Sequence, residues 1–310
     1  MKKSGRRSSL IGQSLVLAPP FVWLVVFFLV PFALVAKVSL SQSVLARPPY
    51  RPIFDWSDLG GVFGKLHQFS LGAYAGLTQD PLYLQSYIDS VVLAALATLC
   101  TLAIAYPFAL AIARSGRRWR ILLLILAIAP FWTSSLIRVY AWILLLKDQG
   151  LINKALIELG ILHEPLHIFA TNWAVLIGIV YSYLPFMILP LYVALDRQDP
   201  ALAEAAADLG ATPFATFRRI TLPLSVPGIV AGVLMVFIPA VGEFVIPDLL
   251  GGSDTLMIGS TMWNDFFTNR DWPTASAAAV VLLVLLVGPL TLYEHWRIRA
   301  EAWPSGWARR

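Results

Sequence analysis

The sequence predicts an all-α integral membrane protein with six transmembrane helices. Three observations carry that prediction. Of the 310 residues, 58% are apolar and 13% are charged, against about 25% charge in a soluble domain. The mean hydropathy is +0.72. The apolar residues gather into six runs long enough to cross a bilayer, and the basic residues gather in every second connection. This composition excludes a soluble globular chain and a disordered one. A single cysteine, Cys100, leaves no internal disulfide and no Cys-rich metal site. The net charge of +5 reads as basic loops facing the cytoplasm rather than as a nucleic-acid surface.

Burying a charge in hydrocarbon is costly, so charge-free runs mark the spans. Ser8 to Ala36, Ser90 to Ala113, Ile168 to Leu195 and Trp272 to Tyr293 carry no ionised residue. Ile220 to Gly242 is equally clean and ends at Glu243. Ile121 to Ile137 is clean, and the apolar pattern resumes after Arg138 as far as Leu146. A core about 30 Å thick needs about 20 helical residues. Helices are therefore expected at 14–38, 88–113, 120–146, 172–195, 223–249 and 274–297. Arg6-Arg7 precede the first run as in a secretory signal. That run is too long for a signal core and no small-residue cleavage site follows, so an uncleaved first helix is expected.

Fifteen of the 23 Lys and Arg fall in the N-tail, the second and fourth connections and the C-tail. Seven fall on the other side and Arg138 lies within a span. The positive-inside rule then places both termini of this multi-pass membrane protein in the cytoplasm. The organisation expected is a tail at 1–13, a six-span membrane domain at 14–297 and a tail at 298–310. The longest external connection, 39–87, contains the stiff stretch Arg47-Pro48-Pro49-Tyr50-Arg51-Pro52.

Two motif matches are rejected. His163-Glu164-Pro165-Leu166-His167 fits H-E-x-x-H literally, but that zinc chemistry needs both histidines on one continuous helix. Pro165 between them interrupts a helix. Gly64-Lys65 lacks the preceding Gly and the following Ser or Thr of a phosphate loop, since Leu59 and Leu66 stand there. No metal and no cofactor is expected on this chain, and no catalytic constellation is legible.

The connection at 196–222 differs from the others. Asp199 is placed to cap a helix with Pro200 at its first position. Ala and Leu carry that helix to Gly210, a residue suited to a left-handed C-terminal cap. Thr212-Pro213 repeats the start signal. The physical reading is a helix–turn–helix on the membrane surface, with small residues that allow close docking.

The spacing Glu204-Ala205-Ala206, Gly210, Ile220, Leu222-Pro223 resembles the EAA signature, E-A-A-x3-G-x9-I-x-L-P, of permease subunits of binding-protein-dependent ABC importers. Leu136–Trp142, Tyr183–Met187, Gly242–Pro247 and Asn269–Pro273 look like the polyamine branch of that family. Residues from about 19 to 297 are similar to the first permease of putrescine importers. The resemblance implies a type I importer fold, with the EAA loop cytoplasmic between the fourth and fifth spans. It also implies a non-catalytic transport subunit. Its partners would be a second, different permease, a dimer of ATP-binding subunits carrying ATP and Mg, and a periplasmic binding protein that delivers a small cationic amine. Glu204, Ala205, Ala206, Gly210, Leu222 and Pro223 would then couple to the ATPase, with Glu204 paired to a basic group there.

Ionisable residues within spans are functional candidates. Both spans rise from the cytoplasm, so at 1.5 Å per residue Arg138 and Glu243 reach a similar depth in the outer third, and an ion pair between them is geometrically possible. Such a pair either holds helices together or leaves Glu243 facing the pathway to attract a cation. Trp132, Tyr140, Trp142, Tyr181 and Tyr183 offer ring faces to an ammonium group. Interfacial belts enrich Trp and Tyr in any case, and each of these residues fits such a belt better. Two other readings stay open: an importer permease for a different small solute, and an integral membrane enzyme. The second would need a catalytic pair at depth, and Arg138 stays charged.

Overall fold

Hydrogen bonding decides the architecture, because backbone polar groups in hydrocarbon must be satisfied within the segment. The computed structural model describes residues 16–53 and 66–301. These residues are helical apart from connections and one two-residue hairpin, β1 (Gln42–Ser43) paired antiparallel with β2 (Tyr50–Arg51) in the register Gln42↔Arg51. The expected N-tail, Gly64-Lys65 and the C-tail from 302 lie outside the described residues.

The chain forms two compact units. The first combines residues up to 81 with those from 262 onward. It holds α1 (Val16–Ser39), α2 (Gly72–Gln79) and the last, long helix, which starts at Trp272 and runs to Glu301. That last helix packs on both α1 and α2. At its start Trp272 stacks on Phe266 at 4.8 Å and meets Tyr50 of the hairpin at 6.0 Å.

The second unit, residues 82–261, holds α3 (Pro81–Arg114) and α4 (Arg117–Ile128). A 3-10 turn at Ala129–Trp132 follows, then α5 (Ser135–Leu146) and α6 (Leu151–Glu158). Next come α7 (Asn172–Asp196), α8 (Pro200–Asp208) and α9 (Pro213–Thr216). A π-turn leads into α10 (Leu222–Val241), followed by α11 (Val245–Leu250) and α12 (Ile258–Trp263). With these, the last helix is α13. The core of the unit is a cluster of Ala105, Ala109, Ile112, Met187, Ile188, Leu191, Leu195 and Val236.

Among the described residues four helices are long and apolar enough to cross a membrane, Val16–Ser39, Pro81–Arg114, Asn172–Asp196 and Pro213–Val241, and a fifth span results if the bent pair that starts at Arg117 counts as one. Trp272–Gly288 is apolar but shorter. Two expected helices are not continuous. The span at 120–146 is broken after Trp132, and its two halves meet at 91°. Pro130 lacks a donor and sits in the last turn, Thr133 is extended, and Thr133 Oγ1 bonds back to Pro130 O at 2.8 Å. The span at 223–249 ends at Val241, and a new helix starts at Val245. Pro107, Pro185, Pro190, Pro227 and Pro239 lie inside helices without breaking them.

Helices α7 and α10 form the closest pair. A β-carbon at Gly228 would stand 2.4 Å from Ala194 Cβ and 2.8 Å from Pro190 O. One at Gly232 would stand 2.6 Å from Met187 Sδ. Glycine at both positions lets the backbones approach as small residues do in membrane helix pairs.

Candidate functional site: a capped surface loop and a charged break in one helix pair

The α7–α10 pair carries a distinct feature at each end. At one end lies the loop 196–222. Asp199 Oδ1 accepts from Ala201 N at 3.0 Å and caps α8, with Pro200 at its first position. The helix closes in a Schellman motif. Ala211 N donates to Ala206 O and Gly210 N to Ala207 O, both at 2.9 Å, with Gly210 at φ +79°. Thr212 Oγ1 then accepts from Ala215 N at 3.2 Å to start α9. Gln198 Nε2 donates to Thr221 O at 3.0 Å, so the two ends of the loop are clasped.

This loop is self-supporting but uncovered. Glu204 and Ala205 are exposed and Ala206 is half-buried. Among the described residues Glu204 has no ion-pair partner. Leu202, Leu209 and Phe214 are 46%, 90% and 72% exposed. Leu222 is half-buried and Pro223 exposed. The apolar side chains Leu209 and Phe214 belong to this surface and were not singled out from the sequence. Their signal is an apolar residue on each side of the Gly210 cap, where a solvated turn would be polar.

At the other end lies the break at Gly242–Phe244. Non-helical backbone at membrane depth persists only where it is buried in protein or lines a cavity. Here Glu243 replaces the missing helical bonds. Its Oε1 accepts from Val245 N at 3.1 Å and Ile246 N at 3.4 Å, capping α11. Its Oε2 accepts from Tyr183 Oη at 2.6 Å. The carboxylate is thus held by α7 and by its own backbone.

Arg138 is not the partner of Glu243. Among the described residues the two make no ion pair. The 91° bend removes the premise that both sit on straight helices at matched depth. The Arg138 guanidinium instead lies 5.6 Å from the Phe131 ring, and its buried Nε and Nη1 have no hydrogen-bond partner. Phe131 meets Phe186 edge-on at 5.0 Å, and Phe186 lies 5.9 Å from Tyr183. Arg138 and Glu243 are therefore the two ends of an aromatic row, Phe131–Phe186–Tyr183. Trp142 and Tyr181 meet edge-on at 5.4 Å and tie α5 to α7. Trp132 and Tyr140 are 78% and 55% exposed and join no part of this row. Sequence reading missed Phe131 and Phe186, although each directly follows a proline.

An apolar groove of about 830 Å³ runs along the α7–α10 pair from the loop towards Phe186. It is walled by Phe186, Val193, Gly228 and Met235 and reaches Arg197 and Leu202 at the loop. The rejected zinc motif is not helical, and His167 Nδ1 instead lies 2.9 Å from Asp148 Oδ1. No group of three metal-ligating side chains occurs among the described residues.

Residues 105–293 match the family "Binding-protein-dependent transport system inner membrane component", and the chain belongs to that family. It is a membrane transport subunit rather than an enzyme. The chain is 41% identical over 285 residues to "Spermidine/putrescine transport system permease protein PotB" of Haemophilus influenzae, covering 92% of this chain and 93% of that one. It is 44% identical over 229 residues to the protein of the same name from Escherichia coli strain K12, covering 74% and 82%. Its fold is shared with a chain of a bacterial alginate ABC transporter in complex with an alginate pentasaccharide-bound periplasmic protein. There the TM-score is 0.68 at 17% identity, with 97% of this chain and 98% of that chain covered.

Proposed function

We propose that this chain is one of two permeases of an ATP-driven importer that carries a small polyamine from a periplasmic binding protein to the cytoplasm. The observation that carries the reading is the 41% identity to a spermidine/putrescine permease across nearly the whole of both chains. The second permease is a different chain, and ATP is hydrolysed on a separate pair of subunits. Six spans with both termini cytoplasmic fit the alternation of basic residues. In that arrangement the bent 117–146 segment and Trp272–Gly288 count as spans. A reporter fused after Arg310 is expected to be active only in the cytoplasm.

In this reading the loop 196–222 is the coupling element. Glu204, Ala205, Ala206 and Gly210 seat in a groove of the ATPase, Leu209 and Phe214 supply apolar contact, and Leu222-Pro223 pass the motion to α10. The close α7–α10 packing makes the pair one lever, so displacement of the loop moves the break. Glu243 and the aromatic row then face the passing cation. A carboxylate with rings beside it attracts an ammonium group. Putrescine is the expected solute, with spermidine as its closest competitor.

The test is uptake by the assembled complex with diamines, triamines, amino acids and anions. Saturable uptake of putrescine or spermidine alone is expected. Uptake of another class with no response to either amine would assign the permease to a different solute.

A further inference from the structure

A second groove in the 82–261 unit lies away from the α7–α10 pair. It holds about 320 Å³ and is lined by Asp89, Val92 and Leu96 of α3, Asn172 and Trp173 of α7, and Met257 among others. Asp89 is the residue just before the charge-free run Ser90–Ala113, and Trp173 is the second residue of α7. Both therefore stand at one edge of the hydrocarbon. Leu96 lies seven residues further in, about 10 Å deeper at 1.5 Å per residue. The groove thus runs from the interface into the apolar layer. Its walls are open, with Val92, Leu96 and Trp173 60%, 41% and 66% exposed.

The polar groups sit only at its mouth. Asp89 Oδ1 accepts from Gln85 Nε2 at 2.8 Å. Among the described residues Asp89 has no ion-pair partner. A half-buried carboxylate beside apolar walls calls for a cation. Asn172 Oδ1 accepts from Thr255 Oγ1 at 2.8 Å, which leaves its amide nitrogen as a donor for an anionic group beside that cation. Trp173 is the residue type that prefers the headgroup level.

We propose that this groove holds an aminophospholipid of the phosphatidylethanolamine type. The ammonium group sits on Asp89, the phosphodiester beside Asn172, and an acyl chain runs along Val92 and Leu96. A soluble diamine fits less well. Only one carboxylate lines the groove, so the second ammonium group would enter the apolar end without a partner. A choline headgroup fits less well because it has no N–H to donate to the free carboxylate oxygen. The proposal does not depend on which solute is transported. The leaflet, expected to be the outer one, follows from the topology proposed above.

The test uses the assembled importer, exchanged into mixed phosphatidylethanolamine and phosphatidylcholine of matched chains, washed in detergent and analysed for retained lipid. Wild type is expected to retain phosphatidylethanolamine at least about fivefold over phosphatidylcholine, as one charge-assisted hydrogen bond provides. Asp89→Asn should lose that preference, Asp89→Glu should keep part of it, and excess putrescine should leave it unchanged. Equal retention of the two lipids by wild type, or an unchanged preference in Asp89→Asn, overturns the proposal. Displacement by putrescine overturns it in favour of a soluble amine. If Asp89→Asn fails to assemble, the wild-type preference and the putrescine competition still decide.

Discussion

The loop at 196–222 and the break at 242–244 are both capped interruptions, and they are finished in opposite ways. In the loop, Asp199 and Thr212 cap their helices and Gly210 closes the turn, yet Glu204, Leu209 and Phe214 face outward. In the break, both oxygens of Glu243 are used inside the chain, by Tyr183 and by two backbone amides. The first region has a fixed shape and an uncovered surface, which the proposed function assigns to the ATPase. The second has a carboxylate held by its own fold, which the proposed function places beside the passing cation. Rigid packing of α7 on α10 joins them, and each can be broken separately or together.

Breaking the connection should have the largest effect. Gly228→Val places side-chain atoms where a β-carbon alone is 2.4 Å from Ala194, and overpacking of this kind costs about 3 kcal/mol. Loss of assembled complex on detergent gels, and with it loss of uptake, is expected. Normal assembly would show that the two helices can separate freely. Next come changes to the loop. Gly210→Val meets no atom within 4 Å, so its cost is the left-handed backbone alone, about 1–2 kcal/mol. Membrane insertion should persist and stability should fall only by that backbone cost, while uptake falls at least about tenfold through lost ATPase contact.

The break should respond more mildly. Tyr183→Phe removes the 2.6 Å bond to Glu243 and should lower stability by about 1–2 kcal/mol. In a double-mutant cycle Tyr183 and Glu243 should couple by a similar amount, while Arg138 and Glu243 should show coupling near zero. Strong Arg138–Glu243 coupling would restore the ion pair that the bend removes. Arg138→Ala should have the smallest effect on stability, because two of its nitrogens are already buried without partners.

These two regions also differ in how much of each the sequence displays. The loop is legible because capping is local. Asp199-Pro200, Gly210 and Thr212-Pro213 each act on neighbours within five residues, so their spacing alone dictates the turn. The break is legible only as a charge in an apolar run. Tyr183 lies 60 residues from Glu243, and no local pattern pairs them. Hydropathy also passes smoothly over Pro130 to Ser134, since a 91° bend changes direction and not composition. The five other prolines inside helices explain why Pro130 alone was a weak signal. What singles it out is Thr133 after it, whose side chain bonds back to Pro130 O.

In the proposed function one region couples to ATP and the other passes the solute. The most direct measurement is parallel ATP hydrolysis and polyamine uptake in the same proteoliposomes, with loaded binding protein, for Glu204→Lys and Glu243→Gln. Glu204→Lys should lose ATPase association, stimulated hydrolysis and uptake together. Glu243→Gln should keep association and stimulated hydrolysis while uptake falls severalfold. Full coupled uptake by Glu204→Lys, or normal uptake by a well-assembled Glu243→Gln complex, would contradict this division of labour.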